Sequence, residues 1–341
     1  MKTIKKEPYI SVVIVNYNYA HLITRALDAV KEQSFSDYEI VVVNNGSTDN
    51  SDDVIRDYID NNKELQIITT KVEKNIGLFK GRNAALNIAN GKYILFNDAD
   101  DWMKPNCLNI LASIAEKENA DKVCSAFTEI DAEGNQLRDV TYCKNQSKWF
   151  ATSMQATLFR RSIIMENGIR FHDSWLDDID FNTHFNYFSR KEYYTNTSTY
   201  FYFVNEMSTS GAKVKNRGWT YLDLQRDMLS LFVPMIEKLE GKDKEDLYYL
   251  MIKQYYFYML HSNRYSTWPE MKRYYAEAHK MMLLFMPDYL KGQRVKLFKD
   301  NGDRVTGRRL TWCFYTAEKI RLFKAVLYIF LFASRFQYLN P

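Results

Sequence analysis

Several features that would assign a chain quickly are missing here. Only 4 cysteines occur in 341 residues, and Cys107, Cys124, Cys143 and Cys313 form no C-x-x-C pair. Neither a zinc knuckle nor a disulfide framework is therefore expected, and the thiols are read as reduced and mostly buried. No G-x-G-x-x-G and no G-x-x-x-x-G-K-[ST] is present, which removes the dinucleotide-binding and P-loop readings. The apolar run Ala325 to Ala333 falls well short of the ~20 residues that span a bilayer. Met1 to Pro8 is polar and basic, and the apolar run Ile10 to Val15 is too short for a secretory signal, so a cytoplasmic location is expected. There is no internal repeat and no low-complexity linker. Charge is nearly balanced, at net +4, but from Arg294 onward ten Lys and Arg face three Asp and Glu. That +7 tail leaves −3 for the first 293 residues, and no nucleic-acid partner is expected.

What is present is an ordinary globular composition, 46% hydrophobic and 26% charged, in a chain long enough for one large domain and a smaller appendage. The first 130 residues alternate short β-branched runs with helical patterns, the form of repeated βα units and a mostly parallel sheet. Strands are expected at Ile10 to Val15, Glu39 to Val43, Leu65 to Thr69 and Tyr93 to Phe96, with helices between them. Beyond about Lys213 the texture becomes helical, with glycine-free stretches at Leu222 to Ile236, Asp246 to Asn263 and Pro269 to Met286. Domains of 1–215 and 216–341 follow, with a boundary near 213 to 220.

In open α/β sheets ligands gather at the carboxyl edge of the strands, and polar clusters stand at such ends: Asn16-Tyr17-Asn18, Asn44-Asn45 and Asp98 to Asp101. Crowded carboxylates repel one another unless a cation sits among them, so Asp98-x-Asp100 points to Mg²⁺ or Mn²⁺ and hence to a diphosphate. The competing reading makes Asp101 a helix cap before Trp102 and Pro105.

Ser11-Val-Val-Ile-Val-Asn-Tyr-Asn, Glu39-Ile-Val-Val-Val-Asn-Asn-Gly-Ser-Thr-Asp, Asn75-Ile-Gly, Gly81-Arg-Asn and Tyr93-Ile-Leu-Phe-Asn-Asp-Ala-Asp-Asp occur in an order and spacing that strongly resemble the family 2 glycosyltransferases, over roughly residues 8 to 210. The resemblance implies an α/β, GT-A nucleotide-diphospho-sugar transferase fold with an α-helical C-terminal appendage. It places Tyr17 and Asn18 against nucleobase and ribose and Arg82 near the base. Asp98 then reaches ribose or metal, and Asp100 is the metal ligand proper. Asn16, Asn45, Gly77 and Ala99, members of the same motifs, join the nucleotide-sugar set. Bland readings stand beside these: core packing for Tyr17 and a surface helix position for Arg82. One departure is that the family usually ends the second strand with two aspartates where this chain has Asn44 and Asn45. An amide both donates and accepts, so it can serve uracil or match another base.

Trp175-Leu-Asp177-Asp178 matches the family's acidic pair, with Asp177 in place of the usual glutamate and Asp178 as general base for the acceptor hydroxyl. One base and one metal suffice for a single displacement with inversion. The implied donor is a UDP-sugar, and the implied acceptor a glycan or lipid-linked hydroxyl in surface polysaccharide synthesis. Homo-oligomerisation stays open. Lys213, Lys215 and Arg217 follow Ser208-Thr-Ser-Gly211 and read as a solvated linker or as a loop touching the diphosphate. The tyrosines of 248–258 and 274–275 read as core. Residues 304–341, basic beside an apolar run, fit either an interfacial anchor on the inner face of the cytoplasmic membrane or a docked helix. Two further functions stand behind the transferase. A sugar-1-phosphate nucleotidyltransferase would need a glycine-rich loop after the first strand, which Asn16 to His21 lacks. A non-catalytic relative would not require Asp98, Asp100 and Asp178 together.

Overall fold

The computed structural model describes residues 7–172, 177–204, 218–291, 295–297 and 300–339. The chain divides into two compact units, Met1–Tyr142 with Ala151–Gly211, and Cys143–Phe150 with Ala212–Pro341. Trp175, Ser208 to Gly211, Lys213, Lys215 and Arg217 lie outside the described residues, and so does the side chain of Asp177.

The first unit runs β1 (Ile10–Asn16), α1 (Ile23–Lys31), β2 (Tyr38–Asn45), α2 (Ser51–Asn61), β3 (Ile67–Val72), α3 (Leu78–Ile88), β4 (Tyr93–Phe96), β5 (Trp102–Met103), α4 (Cys107–Glu118), β6 (Lys122–Ile130), β7 (Gln136–Val140), β8 (Thr157–Arg160), α5 (Arg161–Glu166), α6 (Asp177–Phe188) and β9 (Glu192–Phe203). Among the described residues these strands form one sheet in the order β3-β2-β1-β4-β8-β6-β9-β5, with β7 paired to β6. The α/β architecture expected from the alternating texture is the one observed. The sheet is parallel from β3 through β4, and β8 then enters antiparallel to both β4 and β6. Parallel pairing needs a crossover helix, and β1 to β4 have one at each step; β6 and β7 are joined by a short turn and pair antiparallel.

Strand periodicity explains the layering. Ile10, Val12, Ile14, Ile40 and Val42 point to one face, packed with Ile23 and Leu27 of α1 and Leu108 and Leu111 of α4. Val13, Val41, Val43, Ile94 and Phe96 point to the other, against Ala85 and Leu86 of α3 and Phe181 and Phe185 of α6. Both faces are covered, which is why β1 and β2 are continuously apolar rather than alternating. β1 and β2 extend one or two residues past their expected bounds, and β3 is shifted. β3 starts two residues late because Leu65 is held in a turn by Asn62. β9 begins at Glu192, well before the aromatic run at Tyr200, because polar Thr and Ser positions along it pair with β6.

The second unit contains α7 (Gly218–Lys238), α8 (Gly241–Asn263), α9 (Trp268–Phe285), α10 (Val305–Lys319) and α11 (Phe323–Leu339). The tyrosine-rich helices are core: Tyr249, Tyr255, Tyr256, Tyr258 and Tyr274 are all buried, whereas Phe257 is exposed. Their polar ends converge on one carboxylate. Glu318 Oε1 accepts from the hydroxyls of Tyr255, Tyr275 and Tyr289 at 3.0, 3.1 and 2.9 Å, and Oε2 accepts from Tyr256 at 2.6 Å. A buried carboxylate requires such saturation, so Glu318 fastens α10 to α8 and α9. All four cysteines are free; Cys107 and Cys124 are buried, Cys143 is partly buried and Cys313 is exposed.

Candidate active site

The carboxyl edge of β1, β2 and β4 carries the polar clusters, and their side chains lock the edge together. β1 and β2 run in register, Asn16 beside Asn44. Asn16 is fully buried, its Nδ2 donates to Ser47 Oγ at 3.2 Å, and its Oδ1 has no partner. Tyr17 follows with 39% of its surface exposed, which removes the core-packing reading for it. Asn18 adopts a left-handed backbone, φ 57, tolerated by asparagine, and its Oδ1 accepts from the Thr48 amide at 2.8 Å.

The two asparagines at the end of β2 are structural ties. Asn44 accepts from the Ser47 amide at 3.3 Å and donates to Asp52. Asn45, 2% exposed, donates to Asn75 Oδ1 and to the Gly77 carbonyl, both at 3.1 Å, and accepts from the Ile76 amide at 3.2 Å. A carboxylate at position 45 could not make the two donated bonds, which supplies a physical reason for the departure from the aspartate pair.

Gly77 stands at the start of α3 with φ 86, a conformation that favours glycine. One turn on, a Cβ at Gly81 would lie 2.7 Å from Val15 Cγ1, so the glycine lets α3 settle close against β1. That approach seats Arg82 in the interior with its side chain only 4% exposed, correcting the surface-helix reading. Its Nη2 donates to Asp98 Oδ1 at 2.8 Å and its Nη1 to Asp178 Oδ1 at 3.1 Å. The guanidinium also lies over Phe171, 5.3 Å from the ring centre. One planar fork therefore joins the acidic strand edge to the start of α6.

The acidic cluster separates by environment. Asp101 is buried; its carboxylate accepts from the Phe203 amide at 2.8 Å and the Tyr200 hydroxyl at 3.0 Å. It is followed by β5 rather than by a helix, and α4 is preceded by Asn106, so the helix-cap reading of Asp101 does not hold. Burial pushes its carboxyl well above the usual range. Asp98 is partly exposed and also receives Gln155 Nε2 at 3.4 Å. Burial first, and the Asp98 charge second, push Asp100 up to about 6. Tyr19 beside it is pushed up to about 12, by burial and then by the Asp100 carboxylate. Ala99 is 3% exposed between the two aspartates. Two mutually repelling oxygen donors suit a hard cation that keeps water and substrate oxygens as its other ligands, so Asp98 and Asp100 fit Mg²⁺ or Mn²⁺.

Asp178 lies in the first turn of α6, where the helix dipole favours negative charge, and its carboxylate is 33% exposed. The turn is braced from below. Asn182 Nδ2 donates to the Asp178 carbonyl at 2.8 Å, and Asn182 Oδ1 accepts from the buried Lys122 ammonium at 2.5 Å. Asp98, Asp100, Arg82 and Asp178 are thus gathered at one edge, while Asn45 and Ala99 lie buried within its framework. Gln155, Tyr19 and Arg25 were not singled out from sequence. Arg25 donates to the Asp100 carbonyl at 2.7 Å and covers the Trp102 ring at 3.8 Å, which its place in the first turn of α1, soon after the β1 edge, could have signalled. Nothing local marks Gln155.

The family described as Glycosyl transferase family 2 matches residues 11–194. An uncharacterized glycosyltransferase of Escherichia coli, YibD, is 26% identical over 251 residues, 67% of this chain and 70% of that protein. The cholesterol galactosyltransferase of Borreliella burgdorferi is 24% identical over 318 residues, covering 86% of each. Among solved structures, Staphylococcus aureus TarS in complex with UDP-GlcNAc superposes with a TM-score of 0.66 at 20% identity, over 93% of this chain and 90% of that one, a likeness of fold.

Proposed function

The chain belongs to glycosyl transferase family 2, and from that premise we propose that it transfers a sugar, with inversion, from a UDP-sugar to a hydroxyl of a glycan or lipid-linked acceptor in surface polysaccharide synthesis, with Asp178 as general base. The observation that carries the reading is the Arg82 fork. It holds carboxylates 80 positions apart, Asp98 and Asp178, on one guanidinium at 2.8 and 3.1 Å. A base and a diphosphate-binding edge must face the same anomeric carbon, and a shared rigid cation fixes their spacing.

Asp98 and Asp100 would hold Mn²⁺ or Mg²⁺, which when bound offsets charge on the diphosphate leaving group. Tyr17, exposed at the end of β1, supplies a face for the nucleobase, and Asn18 and Asn16 shape the turn beneath it. Asp178 accepts the acceptor's hydroxyl proton as the oxygen bonds to the anomeric carbon. Arg82 keeps that carboxylate turned toward the edge. Proton NMR of the product linkage tests the scheme: an inverted anomeric configuration is expected, and retention contradicts it. Asp178→Asn provides the second arm, with turnover lost and UDP-sugar affinity kept.

No helix among the described residues is long and apolar enough to cross a membrane. Leu310, Ile320, Leu322, Tyr328, Ile329 and Phe332 are nevertheless exposed, 53% to 64% each, beside exposed Arg309, Lys319, Arg321 and Lys324. Tyr328, Ile329 and Phe332 share one side of α11, and with these cations as a rim they suit an anionic lipid surface, where a lipid-linked acceptor would reside. Arg308 is not part of that rim; it is buried and paired with Asp300 at 3.3 Å.

A further inference from the structure

A second group of ligand-type side chains lies apart from the acidic edge, on the side of α6 away from Arg82. His172, Asp180 and His184 each offer one donor atom, all within 4.8 Å of one another. Asp180 and His184 are four residues apart on α6 and so share one face of the helix. His172 comes from the segment before it. His172 Nδ1 is 2.6 Å from Asp180 Oδ2, and His184 Nδ1 is 3.0 Å from Oδ1. The Asp180 side chain is only 6% exposed, and His184 Nδ1, 3.0 Å from Oδ1, is directed to the Asp180 carbonyl at 3.1 Å, so Oδ1 has that imidazole beside it but no well-directed hydrogen bond. A buried carboxylate oxygen so weakly satisfied is costly, and each of its two oxygens has an imidazole nitrogen within 3.0 Å.

Both arms of this cluster are fixed by packing outside it. Phe171, next to His172, exchanges two hydrogen bonds with Asn83, at 3.0 and 2.8 Å, and stacks on Phe181 of α6 with ring centres 4.2 Å apart. The His172 arm and the α6 arm are therefore registered against each other whether or not an ion is present. His172 itself is 49% exposed, which provides a route in for a hydrated ion and freedom for its ring to adjust.

We propose that His172, Asp180 and His184 form a binding site for a divalent transition metal of the Zn²⁺ class, distinct from the Mn²⁺ or Mg²⁺ position at Asp98 and Asp100. Two imidazoles and one carboxylate with an open fourth position form a donor set for Zn²⁺, and the nitrogens disfavour Mg²⁺. Ligand atoms about 2.0 Å from a tetrahedral ion stand roughly 3.3 Å apart, and the three donor atoms here, all within 4.8 Å of one another, bracket that spacing, with the rings adjusting to close on the ion. The ion takes the lone pairs of the two ring nitrogens, any proton carried there passing to solvent, and gives the Asp180 carboxylate a well-directed partner. It ties His172 to the first turns of α6 and so acts on the position of the helix start rather than on the sugar.

The test is Zn²⁺ affinity of the full chain, by competition with a chromophoric chelator, in a Cys313→Ser background that removes the exposed thiol. The expected result is a Zn²⁺ site that Asp98→Asn/Asp100→Asn leaves intact and that His172→Ala and His184→Ala each weaken by about tenfold or more, a loss that even outer-shell changes can cause. Co²⁺ should give a tetrahedral d–d absorption band that disappears in the same histidine variants. Unchanged Zn²⁺ affinity in a His172→Ala variant overturns the site. So does Zn²⁺ binding that vanishes in Asp98→Asn/Asp100→Asn, which would place the ion at the acidic edge instead.

Discussion

Replacing Arg82 tests whether one side chain joins the two halves of the chemistry. Unit charges 4 Å apart at an effective dielectric near 20 attract by about 4 kcal/mol. Asp98 and Asp178 are 28% and 33% exposed while Arg82 is 4% exposed, so solvent screens the carboxylates but not the guanidinium. Discounting each pair by about half leaves roughly 3 to 4 kcal/mol for the two, in line with the ~3–5 kcal/mol lost when one partner of a buried pair is removed. Arg82→Gln should therefore lower the melting temperature of the N-terminal unit by about 6 to 16 °C, at ~2–4 °C per kcal/mol for a unit of this size. It should also cut kcat/KM by at least about a hundredfold, because base and diphosphate lose their common anchor. Arg82→Lys should recover charge without the fork, and so part of the stability and little of the rate. Differential scanning fluorimetry and a donor-consumption assay read both. A variant with unchanged melting and weakened UDP binding alone would refute the bridge and return Arg82 to the nucleobase.

Asp178→Asn should abolish transfer while leaving UDP affinity within about twofold by calorimetry, and near wild-type turnover would remove the base assignment. Asn45→Asp, although it restores the family's more usual residue, should destabilise by about 2 kcal/mol in thermal unfolding, since the bonds to Asn75 and Gly77 lose their donor. Glu318→Gln should destabilise the helical unit by about 3 kcal/mol, because an amide cannot accept from four tyrosine hydroxyls as a carboxylate does; an unchanged urea midpoint would show the cluster to be incidental. Ile329→Asp/Phe332→Asp should stop flotation with anionic liposomes. Deleting residues 304–341 is the poorer test, as it removes Glu318 from the core.

Much of the N-terminal unit was legible because its signals are local. β1 and β2 announce themselves by continuous Val and Ile, and the carboxyl edge by polar residues directly after them. Asp98 and Asp100 could be singled out because crowded carboxylates after a strand have few explanations. What stayed hidden depends on contacts distant in sequence. Nothing around Asp101 says that its partners are Tyr200 and Phe203, 99 and 102 positions on, so its likeness to a helix cap was only local. Arg82 looks like an exposed helix residue until Gly81 is seen to bring α3 against Val15. The antiparallel entry of β8 is equally invisible, since Thr157 to Arg160 is short and carries no turn signature of its own. His172 and Asp180 are close in sequence, but only the Phe171–Phe181 stack turns them toward each other.

The central claim is that Asp98 and Asp100 hold a divalent ion which in turn holds the nucleotide diphosphate. Calorimetric titration of UDP into the full chain, with and without Mn²⁺, tests it most directly. Mn²⁺ should tighten UDP binding by about tenfold or more, ~1.4 kcal/mol, in the wild-type chain and not in Asp98→Asn/Asp100→Asn. Equal UDP affinity with and without the ion, or a Mn²⁺ effect that survives loss of both carboxylates, would contradict the account.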